Sequence, residues 1–230
     1  MGGRKKTLLI DLGLITYEEA RRIQVSLVSA RQTGTIQTDI FLFLEHPPVI
    51  TLGRRGGKEN LIVSEAFLEQ QKVPIIVSER GGDITYHGPG QLVVYGIFNL
   101  SQNRMDVPGF IFALEESMMA VTRTYGLEAE RLQYNRGVFL FGAKIGSVGI
   151  ALKNGVTFHG MALNVNLDLW PFSWINPCGL QGVRMTSIQN EINKRVPMDE
   201  VKRRARKALE NQLMLSFDEK DRSFLESAFD

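Results

Sequence analysis

Cysteine is almost absent from this chain. The 230 residues include one cysteine, so no disulfide can form within the chain, and a reducing compartment is the expected environment. Histidine is nearly as scarce, with His46, His87 and His159 far apart in the sequence. The four-ligand spacings typical of zinc sites are missing, so we predict no metal site.

Long apolar runs are also lacking. The N-terminus offers only the three-residue run from Leu8 to Ile10, whereas a secretory signal needs about 7–15 apolar residues. No stretch approaches the roughly 20 apolar residues of a membrane span. We therefore expect a soluble, cytoplasmic protein that does not bind a membrane.

Neither sign of charge dominates. Twenty-seven basic residues face 25 acidic ones, a net charge of +2, which argues against a nucleic-acid-binding protein because those usually carry a strongly basic face. Two short basic clusters stand out, one at Arg54, Arg55 and Lys58 and one at 202–207. We interpret both as solvated faces; weak contact with acidic proteins is the alternative.

Apolar spacing predicts helices and strands mixed along the chain. Thr16 and Glu19 form a capping box that opens a helix, and Gly34 lies beyond its end. Asn154-Gly155 is typical of a two-residue hairpin turn. The remaining predicted elements are strands at 39–45, 49–53, 74–79 and 91–98 and helices at 64–71, 108–126 and 197–214.

This pattern indicates a mixed α/β (α+β) protein. We predict one domain over residues 1–230, with a helical C-terminal tail from about residue 190. A small C-terminal subdomain from about residue 181 is the alternative.

Cys178 is a candidate nucleophile. Pro177 and Gly179 flank it, which predicts a turn that exposes the sulfur, and the Gly179 amide is suited to an oxyanion. Its competing interpretation is a small buried apolar residue.

Lys144 is a candidate partner for that thiol. If the hairpin turns at Asn154-Gly155, Lys153 opposes Val156 and Lys144 opposes Val165 on an apolar face. Burial disfavours a charged amine, so such a lysine can act as a base, and a lysine that stays protonated would instead stabilise a thiolate. A solvent-exposed ammonium at the strand start is the third possibility.

The three histidines are not expected to join this chemistry. The hairpin register puts His159 opposite Ile150 on the Lys144 face, six residues or about 20 Å away along the strand. His46 precedes two prolines and is interpreted as capping a strand end.

The segment Arg80 to Gln91 (RGGDITYHGPGQ) is unusually rich in glycine. Glycine-rich turns expose backbone amides that bind an anion or a carbonyl oxygen. The segment does not match the phosphate-binding G-x-x-x-x-G-K-[ST] pattern or G-x-G-x-x-G. A tight connector between strands is the alternative.

Together these segments carry a family resemblance. RGGDITYHGPGQ, KIGSVG at 144–149, FHGMALNVN at 158–166 and Pro177-Cys178-Gly179 resemble, in this order, the lipoyl(octanoyl) transferases. The likeness extends over roughly residues 10 to 215. It implies the fold of a biotin/lipoate protein ligase catalytic domain, a mixed sheet flanked by helices.

The resemblance also implies residue roles. Cys178 would carry an octanoyl thioester and Lys144 would activate it. The matching substrate-binding positions are Arg80, Gly81, Gly82, Asp83, Ile84, Thr85, Tyr86, His87, Ser147, Val148, Gly149, Gly160, Met161 and Ala162. Val148 and Met161 are expected to line a tunnel for the acyl tail.

The implied donor is octanoyl-acyl carrier protein, which carries the acyl group on phosphopantetheine. The implied acceptors are lipoyl domains of 2-oxoacid dehydrogenase subunits and the glycine cleavage H protein. No cofactor, metal or nucleic acid is required. The rival hypotheses are an ATP-dependent lipoate or biotin ligase and, less favoured, a non-catalytic protein that binds carrier domains.

Overall fold

The computed structural model describes residues 4–133, 135–177 and 182–225. The strands are β1 (Lys5–Leu14), β2 (Ile40–Glu45), β3 (Val49–Leu52), β4 (Ile75–Val77), β5 (Ile84–His87), β6 (Gln91–Ile97), β7 (Glu130–Leu132), β8 (Asn135–Leu140), β9 (Ala143–Lys153), β10 (Val156–Asn164) and β11 (Leu215–Lys220). The α-helices are α1 (Tyr17–Thr33), α2 (Glu65–Gln70), α3 (Val107–Arg123), α4 (Ile188–Ile192) and α5 (Met198–Gln212).

The strands form one large and one small sheet. The large sheet has eight strands in the order β11-β1-β2-β6-β10-β9-β8-β7, and the small sheet has three in the order β4-β3-β5. In the large sheet β1 runs parallel to both β2 and β11, and the other neighbouring pairs are antiparallel. A mixed sheet with flanking helices confirms the predicted fold class.

Apolar side chains cover both faces of the large sheet. Successive residues of a strand point to opposite faces, so Val94 joins the core cluster that contains Met118 of α3, while Val93 joins the one that contains Leu27 of α1. This double burial explains why Gln91 to Ile97 reads as a nearly continuous apolar run.

Local capping signals agree with the sequence predictions. The Thr16 hydroxyl accepts a hydrogen bond from the Glu19 amide, and Gly34 ends α1 in the left-handed conformation with φ 79°. Asp106 caps α3 by accepting from the Gly109 amide. Among the described residues no helix combines the length and apolar character needed to cross a membrane.

The C-terminal region differs from the prediction in one respect. The helix predicted at 197–214 is present as α5, which contributes Val201 and Leu209 to the same core cluster as the large sheet. After α5, however, the chain forms β11, which pairs with β1 at the sheet edge. The tail is therefore not helical throughout, because β11 supplies hydrogen bonds to an otherwise open strand.

The hairpin of β9 and β10 turns where it was predicted to turn. Asn154 and Gly155 have φ values of 48° and 81°, and Lys153 pairs with Val156. The predicted pairing of Lys144 with Val165 is wrong. The ladder ends at Leu163 and Gly146, and Lys144 pairs with Phe139 of β8 and bridges to Met185.

The glycine-rich segment is not a simple connector. Its centre, Ile84–His87, forms strand β5, which pairs antiparallel with β3. Only the flanking residues are turns, and the backbone amides of β5 that face β3 are used by the small sheet.

Candidate active site

A cavity of about 1060 Å³ lies between the start of the glycine-rich segment and strands β6, β9 and β10. Its lining includes Lys144 and every predicted substrate-binding residue except Tyr86. The ring of Tyr86 packs instead against Phe172 and Trp174, at centroid distances of 5.7 and 6.5 Å. The fold thus brings together three segments that are far apart in the sequence.

Small side chains leave room for this cavity. Ala162 pairs with Ser147 on one side and Val93 on the other, and Gly160 pairs likewise with Gly149 and Tyr95. Cross-strand neighbours lie side by side on one face of a sheet. Alanine, serine and glycine at four of these six positions therefore create a depression in the sheet.

The predicted tunnel residues form the intervening pair. Val148 pairs with Met161, and both border the cavity together with Val107 and Ile111 of α3. Much of the apolar cavity wall therefore comes from β9, β10 and α3.

Arg80 shapes the opposite wall. Its guanidinium is buried and donates to the Thr51 carbonyl oxygen at 2.7 Å and to the Thr51 hydroxyl at 2.8 Å. The next residue, Gly81, donates its amide to the Ile150 carbonyl oxygen at 2.8 Å. These bonds hold the Arg80–Gly81 backbone over β9, where Gly149 has no side chain to prevent the approach.

Lys144 is buried, with only 1% of its surface exposed. Its Nζ donates to Asn135 Oδ1 at 3.0 Å and to the Arg136 carbonyl oxygen at 2.7 Å, and it lies 5.4 Å from the centre of the Phe139 ring. The alternative of a solvent-exposed ammonium is therefore excluded. The expected apolar surroundings are also wrong, because two uncharged oxygen atoms hold the amine.

Asn135 and Arg136 were missed as site residues. They lie at the start of β8, whose end, Phe139 and Leu140, pairs with the start of β9. The sequence did contain one signal, because β8 and β9 are separated by only two residues, which favours a second hairpin. The contact between the Asn135 and Lys144 side chains, however, depends on the exact register of these strands. Two register shifts, one in β7–β8 and one in β8–β9, alter that register.

Gly137 keeps the space that Lys144 occupies. Its φ is 114°, which side chains rarely adopt, and an added Cβ would lie 2.9 Å from Lys144 Cε and 2.3 Å from the Gly146 carbonyl oxygen. The lysine chain therefore runs past a position that has to be glycine.

Cys178 lies outside the described residues, as does Gly179. The chain is described again from Gly182, and shortly after it the Arg184 carbonyl oxygen accepts a hydrogen bond from the Lys144 amide at 2.8 Å. Arg184 therefore lies against the backbone of Lys144.

The three histidines, far apart in the sequence, come together in the structure. The rings of His46 and His87 are 5.7 Å apart, and the Tyr17 ring lies 5.3 Å from His46 and 6.2 Å from His159. His46 does follow the end of β2, as expected, but it also belongs to this cluster. We call Tyr17, His46, His87, Tyr95 and His159 the histidine–tyrosine cluster.

The ring of His159 is not on the face shared with Met161. His159 pairs with Ile150 as predicted, but its φ of 57° departs from strand geometry. Its ring consequently lies beside that of its neighbour Phe158, at 4.9 Å, and stacks on Tyr17 of α1. A left-handed residue breaks the alternation of faces, and the sequence offers no signal for it at histidine.

Burial keeps the histidines of this cluster neutral. It lowers the pKa of His46 to about 4 and that of His87 to about 3, in the latter case with help from the neighbouring His46. Hydrogen bonds match the neutral form of His46, because Nδ1 donates to the Ile15 carbonyl oxygen and Nε2 accepts from the Tyr95 hydroxyl, both at 2.7 Å.

Glu79 and Arg21 close the outer side of the cluster. Arg21 binds both carboxylate oxygens of Glu79, and His159 Nε2 lies 3.8 Å from Glu79 Oε2. His159 and Arg21 hold the pKa of Glu79 well below its usual range, while burial lowers the pKa of His159.

Sequence comparison places the chain in a family. Residues 16–210 match the family model of the lipoyl protein ligase A/B catalytic domain. An octanoyltransferase of Desulfotalea psychrophila is 46% identical over 200 residues, which are 86% of this chain and 90% of the relative. An octanoyltransferase of Bacteroides thetaiotaomicron is 42% identical over 208 residues, covering 86% of this chain and 92% of the relative.

Solved structures of ligases share the fold. A bipartite lipoate protein ligase of Thermoplasma acidophilum, described with its E2 lipoyl domain, superposes with a TM-score of 0.77 at 18% identity, covering 98% of this chain and 91% of that one. Lipoate-protein ligase A bound with ATP gives 0.73 at 17% identity, covering 100% and 93%. Biotin protein ligase of Aquifex aeolicus in complex with biotin and ATP gives 0.55 at 14% identity, covering 93% and 71%.

These likenesses confirm the predicted ligase-like fold, and the extent and identity of the sequence matches confirm the predicted family. The chain therefore belongs to the octanoyltransferases, acyltransferases built on the lipoyl protein ligase A/B catalytic domain.

Proposed function

We propose that this protein transfers an octanoyl group from acyl carrier protein to a lysine of lipoyl domains, through a thioester on Cys178. One observation supports the proposal above the others: Lys144 is buried beside a cavity with an apolar wall and is held there by Asn135 and Arg136. The octanoyltransferase relatives support the acyl group, and the E2 lipoyl domain described with the Thermoplasma ligase supports the acceptor.

The first step would form a thioester on the cysteine. Cys178 loses its proton to Lys144, and the thiolate attacks the carbonyl carbon of the octanoyl thioester. The tetrahedral intermediate collapses by breaking the carbon–sulfur bond to phosphopantetheine, whose sulfur takes the proton back from Lys144. Backbone amides at Cys178 and Gly179 would stabilise the oxyanion.

The second step would form the amide. The amine of the lipoyl-domain lysine attacks the Cys178 thioester, Lys144 accepts a proton from it, and the Cys178 sulfur leaves and is reprotonated. The thioester exchange is nearly balanced in energy, whereas amide formation is downhill. The reaction therefore needs no ATP, and we propose that it needs no metal or other cofactor. We also propose that it takes place in the cytoplasm.

The surroundings of Lys144 suit such a proton shuttle. The amine is out of bulk water, and the two acceptors described for it, the Asn135 side-chain oxygen and the Arg136 carbonyl oxygen, are both uncharged. They fix the position of Nζ, so proton transfer does not require the long side chain to be ordered during the reaction.

Acyl loading tests this proposal. Purified protein is incubated with octanoyl-acyl carrier protein without ATP, and its intact mass is measured. We expect a gain of one octanoyl group in the wild type and in Lys153→Ala, a control lysine exposed at the far end of β9. Cys178→Ala should show no gain; acylation that persists in this variant would refute the thioester.

An ATP-dependent ligase is the second candidate, because the ligase folds that match include one bound with ATP. It predicts that free octanoate and ATP modify a lipoyl domain while octanoyl-acyl carrier protein alone does not. A non-catalytic carrier-binding protein predicts that Cys178→Ser and Lys144→Ala leave both binding and biological activity intact.

A further inference from the structure

Three arginines surround the cavity on its solvent side. Arg54, Arg55 and Arg136 all line the cavity, and each is exposed. Within the described part of the chain, no carboxylate lies within ion-pair distance of any of the three. We call these three residues the arginine rim.

The backbone holds Arg54 and Arg55 in place. The Arg54 amide donates to the Arg80 carbonyl oxygen at 2.9 Å, and the Arg55 amide donates to the Gly82 carbonyl oxygen at 3.0 Å. The turn can approach this closely because Gly53 lacks a side chain; a Cβ there would lie 2.5 Å from the Gly82 carbonyl oxygen. Both arginines are thus anchored to the loop that forms one wall of the cavity.

Arg136 is anchored to the reactive amine. Its carbonyl oxygen accepts the 2.7 Å hydrogen bond from Lys144 Nζ, while its side chain is exposed. The rim therefore joins the wall built by Arg80 and Gly82 to the strand that positions Lys144.

Neighbouring charges do not neutralise the rim. Lys58, from the same basic cluster, is paired with Glu65. Asp83 also lines the cavity and keeps its negative charge, but it lies beyond ion-pair distance of all three arginines in the described chain. Three guanidinium groups and one carboxylate leave an excess of positive charge at this cavity, although the whole chain carries a net charge of only +2.

We infer that the arginine rim binds the phosphodiester of the phosphopantetheine arm when acyl carrier protein delivers its acyl group. A planar guanidinium forms paired hydrogen bonds with phosphate oxygens, which a lysine ammonium does not. The acceptor lysine of a lipoyl domain brings no phosphate, so the chemistry of the rim favours the donor. This inference rests on the proposed function.

Three acyl donors distinguish the effect of the phosphate from the effect of the carrier protein on loading. They are octanoyl-acyl carrier protein, octanoyl-phosphopantetheine and octanoyl-pantetheine, which lacks the phosphate. The loading rate of Cys178 is measured by intact mass for each donor at low and high salt. In the wild type, octanoyl-phosphopantetheine should load roughly five- to tenfold faster than octanoyl-pantetheine at low salt, and less so at high salt.

Arg54→Gln/Arg55→Gln and, separately, Arg136→Gln should reduce that ratio towards one. Arg203→Gln on α5, an exposed arginine outside the cavity lining, should keep it. A ratio unchanged in both rim variants would overturn the inference, as would a loss confined to octanoyl-acyl carrier protein, which would indicate contact with the protein surface. Failure of the wild type to load from any donor would refute the proposed function and this inference with it.

Discussion

Two buried polar regions border the cavity, one built of histidines and tyrosines and the other around the amine of Lys144. In the histidine–tyrosine cluster, the aromatic rings pack against one another, and hydrogen bonds to Ile15 and Tyr95 match the neutral form of His46. At Lys144, two oxygen acceptors hold an amine beside the cavity. Burial alone therefore does not make a group reactive; the contacts decide whether a buried base is locked or placed to exchange a proton.

The largest expected effect is at Lys144. Lys144→Ala should slow octanoyl loading of Cys178 by roughly 10²- to 10⁴-fold, the usual range for losing a positioned acid–base group. Alkylation of Cys178 followed against pH should shift to higher pH, because the thiolate loses its activating partner. An unchanged alkylation profile would remove Lys144 from the mechanism.

The histidine–tyrosine cluster should govern stability against acid. The pKa values of His46 and His87 are about 4 and about 3 in the folded protein and about 6.5 when unfolded. As the pH falls, these histidines are therefore protonated in the unfolded state before they are protonated in the folded state. Stability is full above about pH 6.5 and falls towards pH 4 by up to about 1.4 kcal/mol per pH unit for each histidine.

Urea unfolding at pH 7, 6 and 5 measures this decline. His87→Gln should lower stability at pH 7 but make its loss between pH 7 and 5 less steep. An equally steep loss in the variant would assign the acid sensitivity to other groups.

Gly137→Ala tests how tightly the lysine site is packed. The added methyl group would meet the Gly146 carbonyl oxygen and Lys144 Cε at a φ of 114°, so we expect a loss of about 1–3 kcal/mol in unfolding free energy. Loading should slow as well, because Lys144 has to move. Gly142→Ala, also at positive φ but with open space around it, is the matched control: it should lose stability without a specific loss of loading.

Asn135→Ala should have the smallest effect. It removes one of the two described acceptors of Lys144 Nζ, and the Arg136 carbonyl oxygen remains. We expect roughly a tenfold lower loading rate at neutral pH, equivalent to about 1.4 kcal/mol. Asn135→Asp keeps an oxygen at this position, so it should recover part of the loading rate if the role of Asn135 is to accept the hydrogen bond from Lys144. Loss of folding without a change in the pH profile would show that Asn135 is purely structural.

The elements predicted from sequence are those with local signals. Thr16, Pro108 and Asn154-Gly155 act within a few residues, so α1, α3 and the β9–β10 hairpin were predictable. Strands β1 and β11 were missed; β11 depends on pairing with β1 across about two hundred residues. Strand β5 was hidden by its flanking glycines, whose turn preference masks the short run between them.

The candidate site likewise has features that the sequence indicated and features that it did not. The motifs indicated which segments form it, and the cavity joins all of them that lie in the described chain. Its contacts were not predictable: Lys144 meets Asn135 through a shifted register, and His159 meets Tyr17 through a left-handed backbone. Both depend on one-residue irregularities, which no periodic pattern records.

By itself the sequence determined the family, the mixed α/β class, the hairpin turn and the identity of the candidate reactive residues, because these depend on residue type and short-range spacing. Only the tertiary structure decided which oxygens hold Lys144, that three distant histidines meet, and that Arg54, Arg55 and Arg136 share one opening. Those arrangements depend on strand order and register, and the free energy that selects them comes from packing across the whole sheet.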